Sequence, residues 1–149
     1  MEIKKLYRND LEGSMKTIIA GSRTITDFKV VYEAIKGSGF KITEVVCGEC
    51  RGPDMFGAEW AKLNKIPVKY FPADWKKLGI KAGPCRNIAM AEYSDALILV
   101  WDGKSPGSKN MLKEARHFEL QIYVHNNQKI HTNPSEVIVP AVDIQQVFR

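Results

Sequence analysis

Apolar positions along the chain fall into two alternating kinds of segment. Short, nearly continuous apolar blocks recur at residues 16–20 (KTIIA), 44–47 (EVVC), 67–71 (PVKYF), 96–101 (ALILVW) and 122–125 (IYVH). Blocks of that length, bounded by polar or turn residues, predict strands. The wholly apolar run between Asp95 and Asp102 predicts a strand buried on both faces. Between the blocks the spacing changes to three and four. Val30, Val31, Ala34 and Ile35 share one helical face, with Thr26 or Asp27 in place to cap it and Gly37 and Gly39 to end it. A second helix carries Met55, Phe56, Ala58, Trp60, Ala61 and Leu63, with Asp54 at its capping position. A third opens at Gly83-Pro84 with Arg86 and Asn87 in its first turn, and a fourth begins near Lys109. Residues 76–81 read as a basic connecting loop. After residue 125 the period is weak, with an edge strand at 137–139 and a short helix at 143–148.

Strand and helix alternating in this way predict an α/β domain: a mostly parallel sheet of about five strands, covered by helices on both faces. The folded unit is expected over residues 15–125. Residues 1–14 form a polar lead-in and residues 126–149 a C-terminal extension. A length of 149 residues suits one domain with a real core.

Composition adds little to that picture: 44% hydrophobic and 26% charged residues are ordinary for a globular chain. No apolar run approaches a membrane span and MEIKKLYRND lacks the apolar segment of a secretory signal, so a cytoplasmic protein with no membrane partner is expected. The net charge of +5 fits an anionic small ligand, a nucleic acid or plain solubility. The lysines are scattered, however, and no basic run interleaved with aromatics marks a nucleic-acid surface. Cys47, Cys50 and Cys85 are odd in number and are expected as free thiols. Cys47 and Cys50 form a C-x-x-C, but His117, His125 and His131 stand apart and complete no metal site.

In parallel sheets the ligand crevice lies beyond the carboxyl ends of the strands. That rule gathers residues 21–23, 48–54, 72–75 and 103–108 at one edge, joined by the start of the 83–93 helix. The expected binding set is Gly21, Ser22 and Arg23; Gly48, Arg51, Gly52 and Asp54; Asp74; Arg86 and Asn87; and Gly103, Ser105, Gly107 and Ser108. Glycine loops and helix N-termini present free N–H groups to anions, and the arginines suit phosphate because a planar guanidinium makes two parallel bonds to it. A plain βα turn also needs small residues, and each arginine alone fits a solvated or paired role equally well. Two standard nucleotide signatures are missing. Gly103-Lys104-Ser105 mimics the tail of a P-loop, but the leading glycine position is Ile98, and no G-x-G-x-x-G follows the first strand.

The series GSR (21–23), CGECRGPD (47–54), FPADW (71–75), AGPCRN (82–87), SDALILVWDG (94–103) and SPGSKNM (105–111) resembles the DUF2493 or YspA-like branch of the SLOG superfamily, over about residues 15–125. That superfamily includes the lysine-decarboxylase-like LOG enzymes and DprA. The resemblance implies a Rossmann-like three-layer sandwich that binds nucleotides or nucleotide-derived ligands, frequently as a homo-oligomer. It gives Arg86 and Met90 the places of the arginine and methionine in the LOG pattern R-K-x-x-M, and it matches Asp95-Ala96 to the pair opening the next strand. Pro106-Gly107-Ser108 matches the P-G-G-x-G-T phosphate loop only in part. The position of the LOG catalytic glutamate is Met111.

The reading that follows is a binder of a phosphorylated nucleotide derivative, with no further cofactor, leaning away from an enzyme. Trp75 or Trp101 is available to stack on a base. The alternative is a LOG-like N-glycosidic hydrolase using Glu114, Glu49 or Asp54. A weaker alternative is DprA-like single-stranded DNA binding.

Overall fold

The computed structural model describes residues 13–126 and 136–140. Among these residues six parallel strands run in the order β3-β2-β1-β4-β5-β6. They are β1 (Lys16–Gly21), β2 (Glu44–Cys47), β3 (Val68–Tyr70), β4 (Ala96–Trp101), β5 (Gln121–Asn126) and β6 (Glu136–Pro140). The helices are α1 (Phe28–Ser38), α2 (Pro53–Leu63), the short α3 (Trp75–Leu78), α4 (Ala82–Tyr93) and α5 (Pro106–His117). The sheet is therefore α/β and Rossmann-like, as its alternating pattern predicts. To the strands of the 15–125 unit it adds β6, the edge strand expected at 137–139, which pairs in parallel with β5 from within the C-terminal extension. The proposed 143–148 helix and nearly all of the 1–14 lead-in lie outside the described residues.

Alternation along the buried strands divides the core into two layers. Ile18, Leu97, Leu99, Ile122 and Val124 face α4 and α5, where they meet Met90, Ala91, Met111, Leu112 and Ala115. Ile19, Val45, Ile98, Val100 and Tyr123 face α1 and α2 and pack on Val31, Ala34, Ile35 and Ala61. β4 is buried at all six positions, as its unbroken apolar run requires.

Local chemistry sets most of the helix ends. Asp27 caps α1 by accepting from the Lys29 amide at 2.9 Å, and Gly39 ends it. Residues 76–81 are not a plain loop: α3 and a following 3-10 turn occupy them, with the Asp74 carboxylate capping α3 through the Lys77 amide. α5 begins at Pro106, three residues earlier than the apolar spacing suggests, because Ser105-Pro106 supplies an N-cap position followed by proline at the first helical position. The amino edge of the sheet is pinned by Asp95. Its carboxylate accepts from the Lys16 amide, and its carbonyl accepts from the Gln121 amide.

α2 lies unusually close to the sheet at Gly57. A Cβ there would fall 2.6 Å from Ile19 Cγ2 and 2.7 Å from Ile19 Cβ, atoms fixed by the strand. Gly57→Ala should therefore destabilise the fold by about 1–3 kcal/mol, the usual cost of overpacking, although alanine is the better helix former by about 1 kcal/mol. Urea denaturation measures this. Unchanged or increased stability would mean that α2 lifts from β1 without cost.

Candidate functional site

The strand order reverses direction between β1 and β4, and a crevice opens beyond their carboxyl ends at that switch point. It holds a cavity of about 700 Å³. Ala20, Gly21, Arg23 and Thr24 approach it from β1, and Gly83, Pro84, Arg86 and Asn87 from the start of α4. Asp102, Lys104 and residues 105–108 come from the β4 loop and the first turn of α5, with Asn110 and Met111 behind them. Asp54 and Cys50 complete the wall, and Trp75 stands at the edge.

Several expected residues do something other than face this space. Ser22 is buried outside the lining. Its amide donates to the Val100 carbonyl and its hydroxyl accepts from the Asp102 amide at 2.9 Å, so it clips the β1 turn to the β4 loop. Gly52 stands at the N-cap of α2 beside the Ile25 and Ser22 carbonyls. Asp74 is exposed and occupied as the α3 cap. Gly103 shapes the β4 loop without lining the cavity. Lys109, now in the body of α5, is outside it as well. Trp101 is core rather than a stacking platform: it is buried, and its indole N–H donates to the Ser105 carbonyl. Arg51 faces an adjoining concavity, as does Gly48.

Asp54 is the largest departure from expectation. It sits in the first turn of α2, where Gly52 and not Asp54 holds the N-cap position. Its carboxyl turns inward and accepts from the amides of Cys50, at 3.4 Å, and of Gly21 and Gly48. The residue is 4% exposed. Burial pushes its pKa up to about 7, against the charge of Arg86 and the three amide donors. The glycine-loop amides expected to hold a ligand's anion are therefore already used by a carboxyl of the protein. Gly48 allows this crowding: a Cβ there would lie 2.8 Å from Arg86 Nη1 and 2.9 Å from Asp54 Oδ2.

Arg86 is positioned by contacts on every nitrogen. Nη1 donates to the Gly48 carbonyl, Nε to Asn87 Oδ1 at 3.0 Å, and Nη2 approaches Cys50 Sγ at 3.7 Å. Asn87 then donates to Asn110 Oδ1 at 2.8 Å, joining α4 to α5. Asp102 plays a part like that of Asp54. Burial would raise its pKa, but the amides of Ser105 and Lys104 and the hydroxyls of Thr24 and Ser22 outweigh it and hold the carboxyl below its usual range.

One polar group in the cavity wall has no partner among the described residues. The Ser108 hydroxyl, 4% exposed and in the first turn of α5, makes no hydrogen bond to any of them. The N-cap residue Ser105 offers no side-chain bond to that turn either. The first N–H groups of a helix lack intrahelical acceptors, so this turn presents open donors beside a buried hydroxyl that lacks a partner.

Cys47, Cys50 and Cys85 are free thiols, and burial pushes Cys47 up to about 12. Among the described residues no cluster of three or more His, Cys, Asp or Glu side chains is placed to hold a metal, and no helix is long and apolar enough to cross a membrane. Thr24, Asp102 and Asn110 also line the cavity, outside the expected set. The Ser-Pro start of α5 would have brought Asn110 into its second turn, and Asp102-Gly103 after a strand is an Asx-turn signal.

Residues 15–78, which carry the β1 and β2 loops and Trp75, match the model of the YspA, cpYpsA-related SLOG family. The Gene 61 protein of Mycobacterium phage D29 is 31% identical over 112 residues, covering 68% of this chain and 88% of that protein. The X-ray structure of DNA processing protein A (DprA) from Streptococcus pneumoniae aligns over 92% of this chain, with a TM-score of 0.59 and 13% identity. The chain spans 62% of that DprA chain, and the likeness is one of fold.

Asp54 binds its proton more tightly when folded than when unfolded. Its stabilising contribution is thus full below about pH 4 and is lost as pH rises through about 7. The stability of the wild type relative to Asp54→Asn should fall across that window, with a slope of at most about 1.4 kcal/mol per pH unit. Urea denaturation of both proteins between pH 4.5 and 8 (~0.5-unit steps) provides the curves. Parallel curves would remove Asp54 as the titrating group.

Proposed function

The chain belongs to the YspA, cpYpsA-related SLOG family, and from that premise and the geometry of the crevice we propose that it binds a phosphorylated, nucleotide-derived small molecule. The ligand's phosphate rests on the first turn of α5. Ser108 carries this reading: a buried hydroxyl without a partner is costly in an apoprotein, and here it stands beside free helix amides in a cavity wall. Phosphate satisfies the hydroxyl, the amides and the positive end of the helix dipole together. Asp102 is held ionised with its oxygens near the same loop, which suits sugar hydroxyls. Trp75, 55% exposed at the cavity edge, offers its face to a base.

Arg86 supports the site in two ways: it lines the cavity, and it braces the β2 loop through Gly48. Ser108 makes the cleaner test. Ser108→Ala should weaken phosphate-dependent binding by about 0.5–1.5 kcal/mol, or up to about 3 kcal/mol where the bond is charge-assisted. Without ligand the same variant should melt at or above the wild-type temperature, because it removes an unsatisfied buried group. The ligand is obtained by gentle denaturation of purified protein and mass spectrometry of what is released, and affinities by calorimetry. Loss of stability with unchanged affinity would show that the hydroxyl serves the fold instead.

One observation favours a second reading, hydrolysis of an N-glycosidic bond. Met111 offers no carboxylate and Glu114 does not line the cavity, but Asp54 puts a carboxyl that titrates near neutrality into its wall. The binding reading expects no free base from adenosine or guanosine monophosphate, followed by chromatography. Base release that vanishes in Asp54→Asn would put the hydrolase first.

A further inference from the structure

The crevice continues past the cavity on α5. Beyond Arg86 and Trp75 lies a second lobe of about 410 Å³, floored by the β2 loop and walled by Pro72 and Ala73. Arg23, Cys50, Trp75 and Arg86 line both lobes, so the two meet across these side chains. Their chemistry differs. The first lobe offers a helix N-terminus, the Ser108 hydroxyl and amide side chains. The second gathers three guanidinium groups, Arg23, Arg51 and Arg86, against the single carboxylate of Glu49.

This lobe is built rather than incidental. Glu49 has φ +64°, in the left-handed region that non-glycine residues enter uncommonly. The turn it makes sets the Gly48 carbonyl on Arg86 and the Cys50 amide on Asp54. Arg86 is thereby held in place, whereas Arg23 and Arg51 are exposed with neither side chain tied to a described residue. Cations of like sign held in one concavity repel one another, and an oxyanion relieves that repulsion while accepting paired N–H bonds from each fork.

We propose that the second lobe is a second oxyanion subsite, so that the ligand is a nucleotide derivative with two separated phosphate groups. One phosphate rests on the first turn of α5 and the other between Arg23 and Arg51, with Trp75 at the waist between them. The inference rests on the nucleotide reading above and extends it, since a monophosphate would leave the arginine lobe unused. Both lobes fall in the size range of small-molecule sites.

The test is free of any assumption about the base. Uniformly ¹⁵N-labelled full chain is titrated with inorganic phosphate and followed by ¹H–¹⁵N NMR, for the wild type, Ser108→Ala and the double variant Arg23→Gln/Arg51→Gln. Both arginines are exposed, so the double variant should keep the wild-type spectrum away from the lobe. The wild type should show two independently saturating groups of shifts. One comprises the amides of Gly107 and Ser108. The other comprises the amides of residues 48–52 with the Nε–H groups of Arg23 and Arg51. The double arginine variant should lose the second group, with affinity there down at least about tenfold, and retain a saturating first group, weakened at most about twofold because Arg23 lines both lobes. Ser108→Ala should weaken the first severalfold and leave the second. A single group at α5, indifferent to the arginine variant, would overturn the second subsite while leaving the nucleotide reading intact. A single group at the arginines, indifferent to Ser108→Ala, would overturn the α5 subsite and the two-ended ligand with it.

Discussion

A carboxyl group buried at the ends of two parallel strands is expensive unless donors converge on it, and Asp54 meets amides from Gly21, Gly48 and Cys50 with the Arg86 charge nearby. That one group ties the exit turns of β1 and β2 to the first turn of α2. Arg86 reaches across from α4 to the Gly48 carbonyl, and the Asn87–Asn110 bond passes the connection to α5. Both helical layers are thus referred to one point on the sheet edge. The raised pKa says which effect wins: burial disfavours the charge by more than the donors and the arginine restore.

The same economy explains where a ligand's anion can go. Small-residue loops and helix starts around the switch point supply many amide donors, and internal carboxylates claim most of them. Asp54 takes those of the β1 and β2 turns. Asp102 takes Lys104 and Ser105 before α5 begins. The first turn of α5 has no side-chain cap from Ser105, and among the described residues the Ser108 hydroxyl has no partner. Two acids of the protein therefore take up backbone donors that a broadly anion-friendly edge would otherwise present.

The amino edge is organised for a different end. Asp95 bonds Lys16 and Gln121 at the start of the central strands, far along the sheet from the crevice. An aspartate at the head of a buried strand and one at its tail look alike in the sequence. The first sets the register of β1, β4 and β5; the second shapes a loop that borders a cavity.

Elements of the fold were legible because their causes are local. The period of the apolar residues separates strand from helix, and helical connections between successive strands make the sheet parallel. The boundaries at residues 44–47 and 96–101 follow from runs that polar residues interrupt. The sequence also gathers the strand-exit loops at one edge, since that depends only on strand direction. It did not determine the strand order, and so could not distinguish β1 and β4 as the switch point. Nor could it separate Arg86, Asn87 and Ser108, which face the cavity, from Ser22, Gly52, Asp74 and Gly103, which do not. Whether an N–H or hydroxyl is free for a ligand depends on whether another part of the chain has reached it first. Those claims are made across long separations, by Asp102 on Ser22 and by Arg86 on Gly48, so only the tertiary structure decides them.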